Sequence, residues 1–178
     1  MRLRYNSKSH FSLMVQMQGR AMKFQRTTLC YISRGNDWLF IRKIRKGDQN
    51  IGKYLGIGGH IEEGETPDEC IVREIEEETG LKRSDLTSIY KVGNILFESD
   101  KYGQEEMHVY LAELDNDIPI DPNYCDEGEL TWISKDKADD LPVWEGDKIM
   151  FSHLRKNEPF NMRLKYIGET LVETEYFE

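Results

Sequence analysis

Three glutamates, Glu74, Glu77 and Glu78, stand at i, i+3 and i+4 in the run that begins at Arg73, and another acid, Glu65, lies eight residues before that arginine. On a helix this spacing gathers three carboxylates on one flank, where each like-charged pair costs about 0.2–0.5 kcal/mol when exposed and more when half-buried. Such a cluster needs a cation. Oxygen donors suit a hard divalent ion, and Mg2+, which takes carboxylates and substrate phosphates together, suits it best, with Mn2+ as a substitute.

The elements that must position these groups are written around them. Thr66, Pro67 and Glu69 read as an N-cap, a proline at the first helical position and a capping-box partner, and Gly80 reads as the residue just past the helix end. The spacing predicts a helix of about three and a half turns between them, with Ile71, Val72, Ile75 and Thr79 on an apolar stripe and the three glutamates roughly 110° away. Upstream, Gly56-Ile57-Gly58-Gly59 lacks a Cβ at three of four positions, so this loop, Gly59 included, can approach a metal or a phosphate closely.

From Gly59 to Leu81 the chain fits G-x5-E-x7-R-E-U-x-E-E-x-G-U, with U apolar, at every specified position. At ordinary residue usage a chance match has a probability on the order of one in ten million. The segment resembles the signature box of the Nudix hydrolases, which cleave a nucleoside diphosphate linked to another moiety by attack of water at phosphorus, with a divalent metal. The resemblance implies that Glu74, Glu77, Glu78 and the carbonyl of Gly58 hold the metal. It also implies that Arg73 pairs with Glu65 to orient the preceding loop. His60 occupies an unspecified position and reads as a surface histidine.

The segment Leu141-Pro-Val-Trp144-Glu-Gly146-Asp147, followed by an amphipathic helix and a last hairpin, resembles the C-terminal part of MutT-type 8-oxo-dGTP diphosphatases and the Trp-Pro-Asp-Asp segment of the mammalian oxidised-purine triphosphatases. That resemblance implies a purine stacked on Trp144 with its edge bonded to Asp147. The first aspartate of the pattern is replaced by Gly146, and Leu55 stands where a base-contacting asparagine would be, so base preference is open. The ordinary alternatives are a packed lid or core tryptophan for Trp144 and a helix N-cap for Asp147. Glu127, in the acidic loop before Trp132, matches a residue that supplies a further metal ligand or the general base, with Asp126 its nearest rival. Glu127 and Glu77 are the candidates for taking the proton of the attacking water.

Length and charge bound the rest. A chain of 178 residues suits one domain, expected over 22–178. Residues 1–36 carry seven Lys or Arg and no acid, leaving 17 basic against 33 acidic residues and a charge of −16 on the remainder. An acidic body does not favour long nucleic acid, whose phosphates reward basic surfaces, but is compatible with a small nucleotide brought in with magnesium. Residues 1–21 read as a basic N-terminal extension, either upstream of a natural initiator at Met22 or a leader packed on the domain. The absence of a long apolar run or a secretory signal, and three scattered cysteines without a C-x-x-C pair, point to a cytoplasmic protein without a membrane span, disulfide framework or zinc site.

Strand-like runs at 27–33 and 38–44 form an expected hairpin, with further strands at 54–57, 86–97, 107–111 and 130–133. A helical turn is expected at 135–141, a helix at 147–156 and a closing hairpin over 162–167 and 170–177. Together these predict an α+β fold, an α/β/α sandwich with a mixed sheet, and the Nudix fold is of this kind. The leading expectation is hydrolysis of an oxidised purine nucleoside triphosphate to the monophosphate and pyrophosphate. The alternatives are a pyrophosphatase acting on ADP-ribose or another nucleoside diphosphate derivative, and a nucleotide-binding domain without hydrolysis.

Overall fold

The structure, a computed structural model, describes residues 24–115 and 118–178. The expected N-terminal extension at 1–21 and the proposed initiator Met22 lie outside the described residues.

Eight strands form one mixed sheet: β1 (Gln25–Arg34), β2 (Asp37–Lys43), β3 (Tyr54–Leu55), β4 (Leu86–Ser99), β5 (Gly103–Leu114), β6 (Gly128–Ser134), β7 (Phe160–Ile167) and β8 (Thr170–Tyr176). The order is β3-β2-β1-β5-β4-β7-β8, with β6 paired to β2. The β1/β5 and β4/β7 pairs are parallel and the others antiparallel. Among the described residues two α-helices, α1 (Pro67–Thr79) and α2 (Glu145–Lys156), cover opposite faces, which makes the expected α/β/α sandwich.

Period-2 alternation builds the two cores. Cys30, Ile32, Leu39, Ile41, Tyr110 and Ala112 face α1 and meet Ile71 and Ile75. Their strand neighbours Tyr31, Trp38, Phe40, Val109 and Leu111 face α2 and meet Met150, Phe151 and Leu154. On the α2 side, Tyr31 sits edge-on to Phe40 and Phe151 at centroid distances of 5.4 and 5.3 Å, the offset geometry that aromatic rings prefer.

The caps of α1 form as the sequence predicts. The Glu69 N–H donates to Thr66 Oγ1 at 3.3 Å, the Thr66 N–H donates to Glu69 Oε2 at 2.9 Å, and Gly80 takes the left-handed conformation at φ 74°. Several details differ from expectation: the strand expected at 54–57 is only Tyr54–Leu55, and the one expected at 107–111 runs from Gly103 to Leu114. Ile44 falls outside β2 and is exposed, and Val72 is only half-buried because the apolar stripe of α1 narrows to Ile71, Ile75 and Thr79. Helix α2 starts two residues earlier than its apolar spacing suggested: Trp144 is its N-cap, so Asp147 is not. Asp147 instead lies in the first turn, where its Oδ2 accepts from the Trp144 N–H at 3.0 Å.

Among the described residues no helix is long and apolar enough to cross a membrane, and Cys30, Cys70 and Cys125 are free thiols. Because Phe151 is fully buried between Tyr31, Trp38 and Phe40, Phe151→Ala is expected to lower unfolding free energy by about 3–5 kcal/mol, measured by urea denaturation.

Candidate active site

The site begins where β1 and β2 part. Their ladder pairs only Ile32, Ser33 and Arg34 with Leu39, Trp38 and Asp37, and the glycine loop takes the place beside β1 that β2 has left. The Cys30 N–H donates to the Ile57 carbonyl at 2.6 Å, the Ile57 N–H returns a bond to the Cys30 carbonyl at 2.9 Å, and the Thr28 N–H donates to the Gly59 carbonyl at 2.8 Å. A Cβ on Gly56 would lie 2.7 Å from the Cys30 carbonyl oxygen, and one on Gly58 only 2.1 Å from that of Thr28. Glycine is demanded here by close approach.

The same loop meets the acids of α1. The Gly58 N–H donates to Glu78 Oε2 at 2.9 Å, and a Cβ on Gly59 would fall 2.4 Å from Glu74 Oε1. Glu78 is 7% exposed, and this burial pushes its carboxyl up to about 8. Burial raises Glu74 as well, against the pull of Arg73. The three carboxylates of the flank therefore have unlike surroundings: Glu78 is buried, Glu74 is half-buried and Glu77 reaches into solvent.

Arg73 holds this cluster together. Its Nε and Nη2 donate to the two oxygens of Glu65 at 2.9 Å each, Nη1 donates to Glu74 Oε1 at 2.8 Å and Glu77 Oε2 at 3.1 Å, and Nη2 also reaches the His60 carbonyl at 3.0 Å. The bidentate guanidinium contact holds Glu65 far below the usual carboxylate range, at about 2. The pairing implied by the resemblance thus forms, and it spans further than expected, because one arginine joins the loop to two of the flank carboxylates. His60 is on the surface, as expected.

Lys43 supplies the second cation. Its side chain is largely buried at the end of β2 and its Nζ bonds Glu127, whose side chain is half exposed. Burial alone would lower the lysine, but the charges of Glu127, Glu78 and Asp48 raise it instead. Sequence reading missed Lys43. The signal was its phase, since a lysine in step with Leu39 and Ile41 along β2 points where core residues point.

These residues fit a divalent ion: Glu74 and Glu78 lie against a glycine loop whose approach a Cβ would block, Glu77 is on the same flank, and all donors are oxygens. Among the described residues no three acids converge as metal ligands with the side chains as they stand, since Glu77 is turned to Arg73 and Glu127 to Lys43.

A pocket on the α2 side of the sheet runs from this region to the start of α2. Gly58 and Lys43 line one end, and Trp144, Asp147, Phe97 and Tyr102 the other. Trp144 is packed edge-on against Tyr102 and Tyr166, each with centroids 5.4 Å away, and its Nε1–H donates to Asn50 Oδ1 at 2.9 Å. Lys53 Nζ sits 4.6 Å from the centroid of its ring. Burial pushes Asp147 up to about 7, against the Trp144 N–H and the Lys53 charge, which lower it. Leu55 lines the pocket too, and Gly146 lies beneath it with its N–H donating to Tyr166 Oη at 2.8 Å. The pocket thus brings Gly58, Lys43, Trp144 and Asp147 together, with Glu78 bonded to Gly58 and Glu127 to Lys43 just outside its lining, while Asp126 is exposed.

The NUDIX domain family model matches residues 23–154 of the chain. The oxidized purine nucleoside triphosphate hydrolase of Danio rerio is 30% identical over 130 residues, 72% of this chain and 80% of that protein. The NAD-capped RNA hydrolase NudC of Photobacterium profundum is 32% identical over 112 residues, covering 56% of this chain and 37% of NudC. Among solved structures, a MutT protein from Bacillus halodurans superposes with a TM-score of 0.69 at 24% identity, covering 86% of this chain and 97% of that one. The NUDIX domain of Shewanella oneidensis NrtR, complexed with ADP ribose, gives a TM-score of 0.62 at 14% identity over 83% of this chain and 97% of that one. At those identities the structural likeness speaks for the fold.

The buried Glu78 makes stability depend on pH in a defined direction. Its carboxyl ionises near 4.5 when unfolded and near 8 when folded, so between those values the folded chain binds more protons and stability falls as pH rises. In metal-free protein kept in chelator, thermal melting is expected to decline from pH 4.5 to pH 8, and Glu78→Gln to flatten that decline.

Proposed function

The chain belongs to the NUDIX family, and from that premise we propose that it is a Mg2+-dependent pyrophosphohydrolase that splits a purine nucleoside triphosphate, foremost an oxidised one such as 8-oxo-dGTP, into the monophosphate and pyrophosphate. The observation that carries this reading is the single pocket joining Gly58 and Lys43, beside the acidic helix, to an indole, a carboxyl and further aromatic rings. A diphosphate at one end would leave the base at the other. The likeness to the Danio rerio enzyme, named for oxidised purine nucleoside triphosphates, supports the same class.

In this reading Glu74, Glu77, Glu78 and the Gly58 carbonyl hold the metal, Mg2+ or in its place Mn2+, which when bound neutralises phosphate charge and lowers the pKa of an attacking water. Arg73 keeps Glu65 and the loop between them in register with α1, an orienting role. Lys43 lines the pocket next to Gly58, so an arriving phosphate can take its ammonium in exchange for Glu127. Glu127 is then free to accept a proton. Glu77 is the other accessible base, held back by Arg73 in the same fashion.

At the base end, Trp144 offers an aromatic platform, and stacking of this kind is worth about 1–3 kcal/mol per base. Asp147, poised at about 7, can present either a donor or an acceptor to a purine edge. It serves that edge without a neighbouring aspartate. A Cβ at Gly146 would lie 2.5 Å from Leu164 Cδ1 and 2.8 Å from Tyr166 Oη, so the substituted position has no room for an acid. Gly59 adds backbone to the phosphate end.

The reading is tested by turnover of 8-oxo-dGTP, dGTP and ADP-ribose side by side with Mg2+. Release of pyrophosphate from 8-oxo-dGTP with the highest kcat/KM is expected, and a preference for ADP-ribose would replace the triphosphate reading with the diphosphate-derivative one. Glu78→Gln is expected to lower kcat at least about a hundredfold, and binding of nucleotide without hydrolysis in the unaltered protein would point to a non-catalytic domain. Trp144→Ala is expected to raise KM by roughly 5–150-fold, the equivalent of the lost stacking, with a smaller change in kcat.

A further inference from the structure

Glu105 is an acid on an apolar floor, and the scheme above leaves it without a role. It stands near the start of β5 and lines the pocket among Leu29, Ile95, Phe97 and Met107, half-buried. Among the described residues its hydrogen bond comes from the Thr27 hydroxyl, at a long 3.4 Å to Oε2, and no lysine or arginine pairs with it. Burial raises its carboxyl, against the smaller pulls of His60 and the Thr27 hydroxyl. Such a group has lost water without gaining a full set of partners, a cost that a methionine or leucine on the same floor would not carry.

Strand register fixes where along the pocket Glu105 stands. β5 lies between β1 and β4, and Glu105 pairs with Gln25 on one side and with Phe97 on the other, each strand about 4.8 Å away across the sheet. On the β1 side Thr27, two residues on from Gln25 and on the same face, bridges to His60, where the glycine loop runs. On the β4 side the Phe97 ring lies 6.4 Å from that of Trp144. The carboxyl is therefore one strand from the loop where the phosphates are placed and one strand from the aromatic group where the base is placed. In a nucleotide the group between those two is the pentose.

We propose that Glu105 is a specificity-determining residue that reads the sugar, its carboxyl accepting hydrogen bonds from the vicinal 2′- and 3′-hydroxyls of a ribose. This rests on the purine-nucleotide reading of the pocket given above and extends it, ranking a ribonucleotide above the 2′-deoxy form of the same base. Hydroxyls are the donors that a nucleotide carries at that point, a carboxyl has two oxygens to receive them, and a deoxyribose offers one hydroxyl where a ribose offers two. Neither the phosphate end nor stacking on Trp144 distinguishes the two sugars.

Titration calorimetry with GMP, dGMP, ribose 5-phosphate and pyrophosphate isolates the sugar, since GMP and dGMP differ by one hydroxyl. Wild type is expected to bind GMP about tenfold more tightly than dGMP, the factor set by one hydrogen bond to a charged group. Glu105→Met, which keeps the reach of the side chain and removes both oxygens, is expected to bring the two affinities together and leave pyrophosphate unchanged. Glu105→Gln, which keeps one acceptor, is expected to fall between. Equal affinities in wild type, or a wild-type ratio kept in both variants, overturns the proposal. So does a Glu105→Met protein that weakens GMP and dGMP alike, which assigns the carboxyl to the base edge, or one that alters pyrophosphate alone, which assigns it to the phosphate end. Failure of the purine reading looks different: wild type that binds ribose 5-phosphate as tightly as GMP, with the preference for GMP over dGMP still lost in Glu105→Met, upholds the sugar contact and removes the base from the indole.

Discussion

The site depends on one backbone contact, the glycine loop lying against β1 in the place that β2 gives up. A strand there would carry side chains on both faces; a loop with glycine at 56, 58 and 59 carries none at the points of closest approach. Its carbonyls and N–H groups satisfy those of Thr28 and Cys30, so the sheet is not left with open pairs in its middle. What the loop has left over, the Gly58 N–H, is spent on Glu78, which ties the acidic helix to the sheet through a buried hydrogen bond.

That arrangement concentrates negative charge in a poorly solvated place, and the chain stabilises it with cations of its own. Arg73 touches Glu65, Glu74 and Glu77, and Lys43 touches Glu127. The raised carboxyls of Glu74 and Glu78 are the residue of repulsion and burial that two basic side chains do not cancel. A group already costly in its charged form gains more from an incoming divalent ion than a solvated one would, because the ion removes a penalty as well as adding an attraction. The same cations pair with Glu77 and Glu127, so neither of these more exposed acids stands free of a basic partner.

Those parts of the molecule governed by local physics were legible in the sequence. Thr66, Glu69 and Gly80 bound α1 because capping is decided within a few residues, whereas the family resemblance, not the spacing itself, implied the pairing of Arg73 with Glu65. Strand positions followed from alternation. Burial of individual groups did not: Glu74, Glu77 and Glu78 share a helical flank, yet only contact with the loop distinguishes them, and that contact is made across 20 residues of chain. The aromatic end of the pocket was read only at Leu55, Trp144, Gly146 and Asp147. Lys43, Asn50, Tyr102 and Tyr31 reach the pocket from four other segments, brought there by the parallel pairing of β1 with β5 and by turns at the sheet's end. No short pattern could announce residues joined by topology alone.

The two ends of the site also lie on different faces of the sheet, and this division explains where the chain departs from the pattern it resembles. The acidic helix packs on the face built by Cys30, Ile32, Leu39 and Ile41, whereas the aromatic pocket opens on the face of Tyr31, Phe40, Ile95 and Leu164. They meet only at the glycine loop and the end of β2. Gly146 and Leu55, where the chain departs from that pattern, lie on the second face and touch none of the bonds that hold Glu74, Glu78 or Arg73. The first face has no such freedom, because Glu65, Arg73, Glu74 and the three glycines constrain one another at contact distance. The box therefore fits its pattern at every specified position, while the pocket lined by Trp144 and Asp147 departs from the resembled segment at Gly146 and Leu55.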